Sequence, residues 1–350
     1  MRNYSWIAVW LSQFYFITFI QSDLTITQVL TMCHTSSNQF PSDKQNSTEN
    51  SNETVEEFRN DEEVGIATET NEKDVYTLKL KRGYLSIFVS ILQTIMLVTM
   101  MVRCKVAPLR MNPMLGPYPD ALSYWGGKNV YLMVHDYEWW RLVTPIFLHA
   151  GVFHLICNLV VQLYQCALFE REWGSLIWFI IYFSSAVGST TVSVLILPNA
   201  ISVGSSGALC GLLGGKLAEI ICRIWESSKS REEYKLRKSQ FLGTILSVTF
   251  IVATIFIPYV DYAAHLGGLF SGLFVGLLIF SITRAKSNAV WSFVWFIIGS
   301  LLGMIGLAVA IQRIIFHVDA AKELQDVCAY YKRIDEKYEC NCVNPISTDL

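Results

Sequence analysis

Apolar and polar positions fall along this chain in long blocks rather than in a short period. The apolar blocks run from Ser5 to Ile20, Tyr84 to Val102, Leu142 to Phe169, Ser175 to Pro198, Val203 to Trp225, Phe241 to Ile257, Tyr262 to Ile282 and Ala289 to Ile315. A helix needs about 20 apolar residues to cross a bilayer, so the last seven blocks each predict one membrane span. The first is shorter, follows Arg2, and reads either as a signal-peptide core or as a short anchor. No internal repeat relates the blocks. The predicted fold class is all-α, a polytopic transmembrane helical bundle.

Composition agrees with that pattern. With 52% hydrophobic and 16% charged residues, the chain is too apolar for an ordinary soluble domain. Its charge is unevenly spread: Ser42 to Asp74 holds eleven acidic residues against Lys44, Arg59 and Lys73, and with so few large apolar groups it predicts a disordered region. Lys79, Lys81 and Arg82 precede the first span, Arg171 separates the second and third, and a basic run from Arg223 to Lys238 follows the fourth. Arg284 and Lys286 follow the sixth. Positive residues favour the cytosolic side, so even-numbered spans end there and the Pro-, Gly- and Trp-rich loop from Arg103 to Arg141 faces outward, although it too is basic.

Within this frame two spans carry groups that hydrocarbon tolerates only at a cost. Ser206 lies between glycines at the start of the fourth span, and His265 lies at the start of the sixth. Both spans run from outside to inside, so the two residues share a shallow depth below the outer face, as a nucleophile and its base require. Gly207, Gly211 and Gly215 in one span and Gly268, Gly272 and Gly276 in the other form stripes at four-residue spacing, which let helix backbones approach closely. The second span adds His149, His154 and Asn158, the last two four apart on one face. Such groups either bond neighbouring helices, donate to a developing oxyanion, or bind zinc; the spacing is not HExxH, which disfavours the metal. An ion path through a transporter is disfavoured by the absence of a repeated half.

Taken together, these residues resemble a rhomboid intramembrane serine protease. The resemblance rests on Trp140-Arg141 in the outer loop, His149, His154 and Asn158, the GSSG run Gly204 to Gly207, and Ala264-His265 followed by Gly268 and Gly272. NPMLGP at Asn112 to Pro117, and a seventh span placed after a six-helix core, resemble the secretory-pathway eukaryotic branch. The division this implies is a hydrophobic segment at 1–22, an acidic region at 23–83, a six-helix catalytic core at 84–286, a seventh helix at 287–315 and a cysteine-containing tail at 316–350.

The resemblance implies a Ser206–His265 dyad, an oxyanion hole from His154, Asn158 and the Ser206 amide, and structural support from Trp140, Arg141, His149, Gly204, Gly207, Gly268 and Gly272. It implies no cofactor or metal, single-pass membrane proteins as substrates, lipid and not nucleic acid as the surroundings, and a Golgi, endosomal or plasma membrane. A catalytically silent relative that binds and escorts membrane clients shares the fold and is the alternative; lipid hydrolase or acyltransferase chemistry could use the same pair. Three features depart from the pattern. Ser205 adjoins Ser206, Cys210 stands where many relatives carry an aromatic ring, and Asp261 precedes His265 by four residues, either as a third catalytic member or as an interfacial carboxylate.

Eight of the nine cysteines divide by location. Cys157, Cys166, Cys210 and Cys222 lie in spans and predict packing roles. Cys104, Cys328, Cys340 and Cys342 fall outside the spans, where two disulfides are expected with the pairing left open. The sequons at Asn46 and Asn52 set a conflict: glycosylation would place that region outside, whereas the core orientation needs Lys79 to Arg82 inside.

Overall fold

Among the described residues, seven long helices follow the seven predicted spans in order. In this computed structural model they are α1 (Tyr84–Cys104), α2 (Val152–Trp173), α3 (Ser175–Ile196), α4 (Ser206–Cys222), α5 (Arg231–Ala253), α6 (Tyr262–Thr283) and α7 (Ala289–Phe316). The structure describes residues 83–224, 231–253, 256, 260–283 and 289–342. The N-terminal run, the acidic region, the sequons and the Arg284–Lys286 pair lie outside them. Among the described residues no strand occurs, only isolated bridges joining Val106 to Pro117 and Lys128 to Ser202.

Length and apolarity suffice for crossing a membrane in α1, α2, α3, α6 and α7. Helix α4 has 17 residues, roughly 25 Å at the α-helical rise, and α5 opens on the charged turns REEYKLRK before turning apolar. Both are therefore weaker spans than their apolar blocks suggest. Two boundaries also shift. Helix α2 begins at Val152 because Trp139–Leu142 and Thr144–Phe147 form 3₁₀ turns, the second with Pro145 near its start. His149 thus lies in the loop before α2 and not on its helix. Helix α4 begins at Ser206 because Gly204 takes φ +126°, a left-handed conformation that no helix continues.

The centre of the bundle is α3, α4 and α6 packed on one another, and the glycine stripes make that packing possible. A methyl group on Gly268 would strike the carbonyl oxygen of Gly207, and one on Gly272 that of Gly211. On the other side of α4, a methyl on Gly207 or Gly211 would strike the hydroxyl of Ser189 or Ser185 on α3. Trp178, Ile181, Tyr182 and Leu212 fill the remaining space and are fully buried. Helix α7 stays peripheral; Gly299 and Ala310 are its buried residues.

Buried polar groups fix the neighbours. Glu170 accepts from the Leu85 and Ser86 amides at 2.9 and 2.8 Å and from the Ser86 and Ser175 hydroxyls, placing a carboxylate where the first turn of α1 leaves its donors unpaired. A five-residue π segment, Gln162–Cys166, interrupts α2. From it the Gln162 amide reaches Ser90 Oγ and Gln93 Oε1 on α1.

The outer loop and the tail meet at one end of the bundle. Short helices Pro119–Tyr124 and Val130–His135 build the loop. The tail adds α8 (Val327–Ile334) and carries disulfides joining Cys104 to Cys342 and Cys328 to Cys340. Tyr338 donates to Asp120 at 2.5 Å and Asn129 donates to the Leu324 carbonyl. Burial raises the Asp120 carboxyl above its usual range, and burial with that carboxyl raises the Tyr338 phenol.

Candidate active site

At the first residue of α4, Ser206 is half-buried, and its Oγ lies 2.9 Å from Nε2 of His265. His265 sits in the first turn of α6 and is 9% exposed. The close approach of α4 and α6 across the glycine stripes brings the two side chains together. The neighbouring serine behaves differently: Ser205 is fully buried. Geometry thus separates two adjacent serines that only the GxSG register distinguished in the sequence. Because the first amides of a helix have no intrahelical partner, the Ser206 end of α4 also presents free N–H groups beside the hydroxyl.

His154 and Asn158 approach the same turn from α2. A methyl group built on Gly204 would lie 2.8 Å from Cε1 of His154 and 3.7 Å from the Asn158 amide nitrogen. Glycine is required there twice, by its φ and by this contact. The Asn158 amide also donates to the His154 carbonyl at 3.2 Å. His149 is fully buried, with its ring edge-on to that of His154 at 5.2 Å.

Arg141 is 3% exposed and holds the outer loop from within. It donates to the Ser123 and Gly127 carbonyls at 2.6 and 2.8 Å, pairs with Glu138, and stacks on Trp140 at 4.6 Å. Trp140 itself is half exposed and covers Gly126. Asp261 acts as a cap: Oδ1 accepts from the Ala264 amide at 2.8 Å and Oδ2 from the Ser193 hydroxyl at 2.5 Å. Its carboxylate is thereby engaged by the helix end and by α3. Cys210 is buried in the central core.

The rhomboid domain model matches residues 136–282, which contain every one of these side chains on α2, α4 and α6. The chain resembles the rhomboid family over this domain. Similar proteins include RHOMBOID-like protein 6, mitochondrial, of Arabidopsis thaliana, 36% identical over 173 residues covering 48% of this chain and 53% of the relative. Inactive RHOMBOID-like protein 8 of the same plant is 32% identical over 169 residues, 48% of this chain and 46% of the relative. Rhomboid-like protease 3 of Toxoplasma gondii is 36% identical over 136 residues, 39% and 50%. The chain spans about half the length of the curated relatives it matches. The matched domain and the apolar helices make it an integral membrane protein. One relative is named inactive, so activity is a matter for the site residues themselves.

Several residues that shape the site gave no signal in the sequence. Lys128, 1% exposed, is one more cation in a basic loop until its contacts are seen. Ser193 is indistinguishable from the other small polar residues in SSAVGSTTVS, and Glu170 reads as a span-end charge. A buried partner defines each, and partners are set by tertiary packing.

Proposed function

We propose that this chain is an intramembrane serine endopeptidase that hydrolyses peptide bonds in or near the transmembrane segment of single-pass membrane proteins. The observation that carries the reading is the 2.9 Å contact between Ser206 Oγ and His265 Nε2 at the starts of two close-packed helices. Ser206 Oγ attacks the scissile carbonyl while His265 Nε2 takes its proton, which requires the imidazole to hold its own proton on Nδ1. The tetrahedral oxygen accepts from the Ser206 amide, His154 and Asn158. Collapse passes the proton from His265 to the leaving amine and leaves an acyl-Ser206, which water activated by His265 then hydrolyses. The partial exposure of Ser206 supports water entry.

Two disulfides on the tail support an oxidising outer compartment, and with it a membrane of the secretory route. The test is co-expression with a tagged single-pass protein whose span is weakened by Gly and Ala. Release of the outer fragment is expected from the parent and from Ser205→Ala, and not from Ser206→Ala. Release by Ser206→Ala would overturn the assignment; silence from every form across a panel of substrates would favour the client-binding alternative.

A further inference from the structure

Lys128 is linked to both halves of the site, to one through its backbone and to the other through its side chain. Its backbone pairs with Ser202, the Lys128 amide donating to the Ser202 carbonyl at 2.8 Å and the Ser202 amide returning a bond at 3.3 Å. Ser202 lies four residues before Ser206, in the segment that turns at Gly204 into α4. The Lys128 side chain runs the other way: Nζ donates to Ser193 Oγ at 2.7 Å and to the Leu197 carbonyl at 2.8 Å, with a longer contact to the Ser193 carbonyl. Ser193 Oγ passes the interaction on to Asp261, which caps the first turn of α6 through Ala264. The His265 amide donates to the Asp261 carbonyl at 3.2 Å within that same turn.

A cation buried this deeply is costly unless it is bonded on every side; here the ammonium bonds the end of α3 at Ser193 and Leu197, Ser193 Oγ links it to Asp261 before His265, and the Lys128 backbone pairs with Ser202 before Ser206. We propose that Lys128 is a positioning residue: its ammonium, acting through Ser193 and Asp261, fixes the first turn of α6, and so His265, against the turn that presents Ser206. This rests on the serine-protease reading. The charged form is required, because a neutral amine loses a donor and its attraction for Asp261. Asp261 is the charged group facing Lys128; α3 contributes the Ser193 hydroxyl and carbonyl and the Leu197 carbonyl, and the turn before α4 contributes the Ser202 backbone. Burial pulls the ammonium down to about 8, with the Asp261 carboxylate opposing the fall. The network is therefore intact below that pH and is lost above it.

The experiment uses the full chain in liposomes, with Lys128→Met, Ser193→Ala, Asp261→Asn and the Lys128→Met/Asp261→Asn double variant. Three quantities are measured: kcat and KM from pH 6 to 10, and deuterium exchange of the 261–268 backbone. Misplacing a catalytic group by a fraction of an ångström lowers rates steeply, so kcat in Lys128→Met falls roughly tenfold to a hundredfold, with KM within about threefold. The wild-type decline in kcat above about pH 8 disappears in Lys128→Met. The double variant is no slower than the slower single one, as for members of one network. Exchange at 261–268 speeds up in Lys128→Met and in the milder Ser193→Ala, which removes a single hydroxyl and keeps the proposal testable if Lys128→Met fails to fold. Unchanged exchange and unchanged kcat in Ser193→Ala, or additive losses in the double variant, would overturn the proposal. If the wild type releases nothing that Ser206→Ala abolishes, the protease reading falls, and the exchange arm still decides whether Lys128 orders the α6 turn.

Discussion

His154 and Asn158 lie one helical turn apart and converge on the Gly204 turn, where an amide and an imidazole can donate to a negative oxygen that exists only during reaction. Interactions confined to the transition state appear in kcat and not in KM. Removing one oxyanion donor costs about 10²–10³ in kcat, so His154→Ala and Asn158→Ala should each lower turnover by that order with KM little moved, measured on a reconstituted single-pass substrate. A KM effect alone would assign them to substrate binding instead. At this scale the sequence was readable where chemistry is rare in hydrocarbon, as with Ser206 and His265. It was thinner where the answer depends on a partner: only the GxSG register chose Ser206 over Ser205, which burial now separates, and the Asp261 carboxylate had two readings until Ala264 and Ser193 were seen to occupy it.

Helices α4 and α6 approach closely because neither has side chains along the seam, and the spacing of Gly207, Gly211, Gly268 and Gly272 made that legible in advance. The contact is backbone to backbone, so no rotamer can relieve an added methyl group. Gly268→Ala should lower the thermal midpoint in detergent, since overpacking of this kind costs roughly 1–3 kcal/mol. Gly306→Ala in α7 is the control: a methyl there meets nothing within 4 Å, and its midpoint should hold or rise slightly through helix propensity. Equal effects at both positions would contradict the seam. Element boundaries were less legible than element identity. Apolarity alone ran α2 back to Leu142, whereas Pro145 and the 3₁₀ turns delay the helix to Val152 and leave His149 in a loop.

Across the whole molecule, the disulfide from Cys104 at the end of α1 to Cys342 beyond α7 requires an even number of membrane crossings between them. Six helices, α2 to α7, satisfy that count. Cysteine positions outside the spans announced two bridges; pairing needed the fold, because it depends on how the tail lies over the outer loop. The shallow starts of α4 and α6 then lie at the same end of the bundle as that stapled cap. The proposed activity depends on one serine at that end being activated by one histidine. Its most direct test is labelling of the purified protein by an electrophilic phosphonate probe, with the adduct located by peptide mass mapping. The predicted result is a single adduct on Ser206, lost in His265→Ala and retained in Ser205→Ala. An adduct on Ser205, or one on Ser206 that forms equally well without His265, would contradict it.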